Sequence, residues 1–319
     1  MQSVWMVAAA LFFSLMGVAV KLASAQYNTW EIVAYRGLVG VAIMGCMIAL
    51  RARRGGASVI HALSTRHLIM HLRRSVSGTV SLTLWFLAIA GLPLATAMTI
   101  NSSSPLFIGA WVAWLAFRSG ERIDRAMTFA LLSGFVGVVL LLQPTFNADQ
   151  WGYAIVGTTS TVFTAVAYLS VKALGQIGEP DTRIVFYFSA FNAITGLIGA
   201  GFMGFHAIDA HGFALLIAVG LCGTLGQLAV TRAFGFGGTL LSANLGYTGI
   251  VFSTLWGYLI FGDTLELTNG LGMTVIVVSS VIATFMTARA LKRAAIEPDE
   301  TIAPHSHPEG LPHASARSR

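Results

Sequence analysis

Ten long apolar runs divide this sequence, and they constrain its fold more than any other feature. They are Val4–Leu22, Trp30–Leu50, Ser75–Leu92, Leu94–Phe117, Ala126–Gln143, Gly152–Ala173, Ile184–Phe205, Gly212–Phe234, Thr239–Phe261 and Asn269–Ala290. Each is close to the roughly 20 residues that an α-helix needs to cross the hydrocarbon of a bilayer. There the backbone must bond within its own segment, which favours helices over open sheet. Charged residues make up 10% of the chain, against about 25% in soluble domains. The expected fold is an all-α polytopic membrane protein with ten transmembrane helices.

The placement of charge orients the set. Arg51, Arg53, Arg54, Arg66, Arg73 and Arg74 gather around the second connection, and Arg118, Arg122 and Arg125 around the fourth. Lys172, Arg183 and Arg232 border later even-numbered connections, and Arg289, Lys292 and Arg293 follow the last run. The opposite face has loop acids, Glu31, Asp149, Asp209, Asp263 and Glu266, with only Lys21 and Arg36 near it. Basic residues collect on the cytoplasmic side, so both termini are expected in the cytoplasm of a cell whose inner membrane holds the chain. The net charge of +6 therefore reflects topology and gives no sign of nucleic acid. Val4–Val20 could pass for a signal-peptide core, but Met1-Gln2-Ser3 lacks the basic residue of an n-region; the segment is read as the first helix. Cys46 and Cys222 lie inside apolar runs and suggest neither a disulfide framework nor a metal site.

The fourth run is unusual. Its middle reads Thr99-Ile100-Asn101-Ser102-Ser103-Ser104-Pro105. Polar side chains are costly at membrane depth unless they face protein or water, and Pro105 tends to kink a helix. Such a helix is expected to line a cavity. The second half of the chain echoes it. Ser242-Ala243-Asn244 corresponds to Thr99-Ile100-Asn101, and Gly262-Asp263 to Gly120-Glu121. Phe12…Val20-Lys21 matches Phe163…Val171-Lys172, and Ser77-Gly78-Thr79 matches Cys222-Gly223-Thr224. Four features in the same order indicate a repeat. Five spans per half is an odd number, so the halves are inverted. The expected boundaries are residues 1–145 and 150–293, with a polar, proline-containing tail at 294–319 read as disordered and cytoplasmic. His305, His307 and His313 in that tail have no rigid frame to hold a metal.

On these features the chain resembles the drug/metabolite transporter superfamily, EamA type. The resemblance spans roughly Val4 to Arg289. It implies two inverted five-helix halves with a substrate cavity between the first four helices of each. Thr248, not proline, aligns with Pro105, so the two halves are expected to bend differently.

Candidate substrate-binding residues follow from polarity at depth and charge near the mouths. They are Lys21, Arg36, Trp85, Thr99, Asn101, Ser102, Tyr168, Lys172, Gln227, Asn244 and Tyr247. Asn101 and Asn244 either line the cavity or bond helices together. Lys21 and Arg36 either snorkel or form an anion-attracting gate, with Glu31 a possible partner for one of them. Lys21 is the expected site of any proton coupling, because burial lowers a lysine pKa. Gly196, Ala200 and Gly204, and Gly220, Gly223 and Gly226, mark close helix contacts.

No HExxH, no mid-membrane carboxylate pair and no phosphate loop is present. The expectation is a carrier, not an enzyme, working by alternating access on a small organic metabolite, with an amino-acid-like or carboxylated solute favoured. The alternatives are a polytopic membrane enzyme such as a lipid-modifying transferase, or a drug, vitamin or nucleoside-like solute. No cofactor or metal is expected. The expected partners are the solute and the bilayer, with a homodimer left open.

Overall fold

The computed structural model describes residues 2–56, 58–92, 97, 100, 101, 103–120, 125–142, 150–262, 267, 271, 272, 274–279, 281 and 282. Thr99, Ser102, most of the tenth run and the whole tail lie outside the described residues. Among those described there is no strand. After a short 3₁₀ turn, Gln2–Val4, come α1 (Trp5–Ala23), α2 (Thr29–Arg54), α3 (Val59–Leu63), α4 (Leu68–Gly91), α5 (Ser104–Ser119) and α6 (Arg125–Leu142). The second half contains α7 (Trp151–Gln176), α8 (Asp181–Met203), α9 (Ala210–Phe236), α10 (Thr239–Leu245) and α11 (Thr248–Trp256), closed by a π turn at Gly257–Phe261. Among the described residues five helices, the 3₁₀-extended α1, α2, α7, α8 and α9, are long and apolar enough to cross a membrane by themselves. The molecule is an all-α polytopic membrane protein. Its outward faces carry large exposed apolar side chains such as Phe202, Phe129 and Ile155, while Asn192, Thr161, Thr231 and Ser242 are buried. That distribution suits a hydrocarbon solvent outside and hydrogen-bonded polar contacts within.

Helix ends are set by local chemistry. Asn28 caps α2: its side chain accepts from the Glu31 N–H, and the Glu31 carboxylate accepts from the Asn28 N–H. Two orphan donors are thereby satisfied. The Asp209 carboxylate accepts from the Gly212 N–H at the start of α9. Gly120 and Gly262, the glycines of the two Gly-acid pairs, both have positive φ, 73° and 70°. Only glycine adopts that conformation without cost, and it ends each helical stretch.

Packing pairs helices across the chain. α1 lies along α9, α4 along α7, and α2 along α8. The α2–α8 crossing depends on missing side chains. A Cβ on Gly37 would sit 2.2 Å from the Ala193 nitrogen, and one on Gly196 2.4 Å from the Ala34 nitrogen. Gly220 and Gly226 give similar room to Val39 and Phe13. Gly196, Gly220 and Gly226 are among the small residues that the sequence singled out, whereas Gly37 was not, and Gly204 lies past the end of α8 with φ of 93°. There Gly204 accepts a hydrogen bond from the Asn28 side chain.

The fourth and ninth runs are both interrupted at their polar segments. In the fourth, Ser103 is a turn residue and α5 begins at Ser104. Pro105 therefore occupies the first turn of a helix, where its missing N–H costs nothing, and does not kink a helix interior as expected. In the ninth, α10 stops at Leu245 and α11 starts at Thr248. Without a proline, the break is made by i+3 bonds from Gly249 N–H to Gly246 and from Ile250 N–H to Tyr247. The two interruptions thus differ in construction, as the missing proline foretold.

Candidate functional site

The breaks open onto the interior. Two adjoining chambers share Phe13, Trp85, Asn101, Ser104 and Tyr168. The first, about 690 Å³, is walled mainly by apolar and aromatic groups, among them Phe234, Tyr247, Ile108 and Ile250. The second, about 620 Å³, adds Arg36, Arg74, Ser81, Thr164, Phe188 and Gln227.

The second chamber is built around two buried cations. Arg36 lies about two turns into α2 and Arg74 about two turns into α4, with side-chain exposures of 3% and 2%. Both guanidiniums lie by the Phe188 ring of α8, at 5.2 and 4.1 Å from its centroid. Arg36 Nη2 also donates to Gln227 Oε1 at 3.5 Å. Neither arginine forms an ion pair among the described residues. Arg36 Nε and Arg74 Nε and Nη1 have no hydrogen-bond acceptor there. Cation–π contact contributes about 2 kcal/mol or more when desolvated, whereas desolvating an ion costs several kcal/mol. An anion between the two guanidiniums would offset that cost. Two glycines make the seats. A Cβ on Gly78 would meet Arg74 Nη1, and one on Gly223 would meet Arg36 Nε at 2.7 Å.

A polar belt supports these groups. Thr79 donates to Asn192 Oδ1 at 2.7 Å between α4 and α8. The Ser160 hydroxyl donates to the Ser81 carbonyl at 2.8 Å between α7 and α4. Tyr168 stacks on Phe234, ring centroids 4.8 Å apart. Trp85 Nε1 and Tyr247 Oη are buried without a partner among the described residues.

Of the residues singled out in the sequence, Arg36, Trp85, Asn101, Tyr168, Gln227 and Tyr247 line the chambers. Asn244 is fully buried in α10 and lines neither. Lys21 donates to the Ile89 carbonyl at 3.4 Å, and Lys172 to the Gly237 carbonyl at 2.8 Å, where α9 ends. Both lysines lie off the chamber linings. Thr99 and Ser102 fall outside the described residues. Glu31 partners neither Lys21 nor Arg36. Its carboxylate accepts from the His206 backbone N–H at 2.6 Å and meets the His206 ring at 2.8 Å. Arg74, Phe188 and Thr164 were missed. Arg74 was counted among loop charges, although Gly78 one turn later is the seat it needs.

Two clusters of charged groups near other helix ends are paired. Arg232 donates to Asp181 at 2.6 Å. Glu179, in the connection between α7 and α8, accepts from Thr65 and from Arg183. Burial works to raise the Glu179 pKa, but the Thr65 hydroxyl and the Arg183 cation outweigh it and hold the carboxyl below its ordinary range.

Residues 2–143 match the EamA-like transporter family. A pseudopaline exporter of Pseudomonas aeruginosa is 34% identical over 277 residues, covering 86% of this chain and 93% of that protein. A riboflavin transporter of Vibrio cholerae is 24% identical, covering 91% of this chain and 95% of its own length. A protein of known crystal structure aligns with a TM-score of 0.73 at 20% identity, covering 91% of this chain and 98% of that one. That last likeness concerns the fold.

Proposed function

The chain belongs to the EamA-like transporter family and is a multi-pass membrane transporter of small metabolites, and on that footing we propose that it moves a carboxylated organic solute across a bacterial inner membrane by alternating access. The observation that carries the solute class is the pair of buried arginines, Arg36 and Arg74, opening on a chamber with no described counter-ion. Guanidinium groups bind carboxylates through paired, charge-assisted hydrogen bonds. The neighbouring aromatic chamber favours a solute with an apolar or ring-bearing body, a reading to which the similarity to a riboflavin transporter lends support.

We read the architecture as two inverted repeats, residues 1–145 and 150–293, with both termini cytoplasmic. The helix pairing supports this reading. Exchanging each span with its counterpart five spans on turns the α1–α9 contact into the α7–α4 contact and maps α2–α8 onto itself. The family match, which ends at residue 143, agrees with the first boundary. Alternating access then proceeds by motion of one repeat against the other.

The test is reconstitution in sealed liposomes loaded with carboxylated, neutral and cationic metabolites. Carboxylated solutes should leave sealed vesicles that contain the protein, chemically unchanged, and stay inside sealed vesicles that lack it. A quaternary cation moved faster than every carboxylate would overturn the solute class. Product formed in unsealed membranes would overturn the carrier reading in favour of an enzyme.

A further inference from the structure

Every described carboxylate is already engaged away from the chambers. Glu31 holds His206, and Glu179 holds Thr65 and Arg183. Asp181 holds Arg232, and Asp209 caps α9. Arg36 and Arg74 thus stand apart as a cation pair that nothing described neutralises. Guanidinium does not lose its proton in a protein, so the chamber holds two positive charges. Phe188 lies close to both but has no net charge to offer. Both guanidiniums are held in place by the missing side chains at Gly78 and Gly223. The positions of both guanidiniums are therefore set by the fold itself.

From this charge count we propose that the arginine chamber takes a dianionic solute, one carboxylate to each guanidinium, with the body of the solute against Trp85 and Tyr168. The inference rests on the carboxylated-solute reading and narrows it. A single carboxylate leaves one buried cation uncompensated in surroundings where unpaired charge is costly. A second carboxylate removes that cost, so two-charge solutes bind tighter than one-charge solutes of the same length. Trp85 and Tyr168 line both chambers, which lets the spacer between the carboxylates extend toward the aromatic side.

The experiment is calorimetric titration of the detergent-purified protein. The probes are the α,ω-dicarboxylates from succinate to suberate, each paired with its monoamide. An amide keeps the length and shape and deletes one charge. At the best length the dicarboxylate should bind at least about tenfold tighter than its monoamide, a ratio equivalent to about 1.4 kcal/mol. Arg36→Gln and Arg74→Gln should each bring the ratio toward one, and Arg74→Lys should restore part of it. Because the native ratio is measured on unaltered protein, poor folding of a variant cannot rescue the idea. Monoamides binding as tightly as dicarboxylates at every length would overturn the dianion inference while leaving a single-carboxylate carrier standing. Failure of every carboxylate to bind, with a neutral or cationic solute binding instead, would overturn both.

Discussion

Gly37→Ala adds one methyl group at the α2–α8 crossing, and the structure gives the size of the conflict. The new Cβ would lie 2.2 Å from the Ala193 nitrogen, 2.7 Å from its Cα and 2.8 Å from the Asn192 carbonyl carbon. Non-bonded carbon contacts settle at about 3.5–4.0 Å, so the helices would have to part by more than about 1 Å. All three obstacles are backbone, so no rotamer change relieves them. Separation also loosens the Gly196–Ala34 contact on the same interface. Overpacking costs about 1–3 kcal/mol, occasionally more, and this case belongs at the upper end. At about 2–4 °C per kcal/mol, the variant should melt roughly 6–12 °C below the native protein. The assay is thermal denaturation in detergent, followed by size-exclusion chromatography with tryptophan fluorescence. Gly201→Ala is the control, because nothing lies within 4 Å of its added carbon. Replacing an exposed helical glycine by alanine should raise stability by about 0.5–1 kcal/mol. If Gly37→Ala melts with the native protein, backbone contact does not hold this crossing and the packing argument fails.

Gly223→Ala makes a gentler intrusion, 2.7 Å from Arg36 Nε and 2.9 Å from Met16 Sδ, both near the ends of flexible side chains; it should leave stability within about 1 kcal/mol of native and weaken solute binding several-fold, as titration would show. Glu179 has a folded-state pKa below its ordinary value, so its contribution is fully present above the ordinary carboxylate pKa and is lost as pH falls through the depressed one. Acid titration of stability should therefore show a loss beginning below about pH 4.5 in the native protein, and a shallower one in Glu179→Gln. With Cys46 and Cys222 replaced by serine, a cysteine at Ala207 should react with an impermeant maleimide on intact cells and one at Gly55 only after permeabilisation; equal labelling would reverse or dissolve the proposed topology.

The fold was largely legible because its rules are local. Apolar length located α1, α2, α7, α8 and α9 to within a few residues of their ends, and the polar segment around Asn101 and Asn244 located both interruptions. The start of α4 was not legible. Apolarity begins near Ser75, but the helix begins at Leu68, and its first two turns carry Arg73, hydrogen-bonded to Ser170, and the buried Arg74. A rule that counts basic residues near a span assigns Arg74 to the loop, because what buries it is Phe188, more than a hundred positions away. Lys21 and Lys172 failed to enter the chamber linings for a related reason. Carbonyl groups at Ile89 and Gly237 accept from their ammonium groups, and sequence does not say which helix end will stand beside a lysine.

The glycine contacts also sort the ways in which damage can be repaired. At Gly223 the obstacles are side chains, Arg36 and Met16, so a second-site change that shortens Met16 can make room for a new methyl group. Genetic suppressors of Gly223→Ala should therefore be found among neighbouring side chains. At Gly37 the neighbour is the main chain of Ala193 and Asn192, and no codon change trims a peptide bond. Reversion is the open route there, and a suppressor screen started from the two alleles should return compensating mutations for one and true revertants for the other.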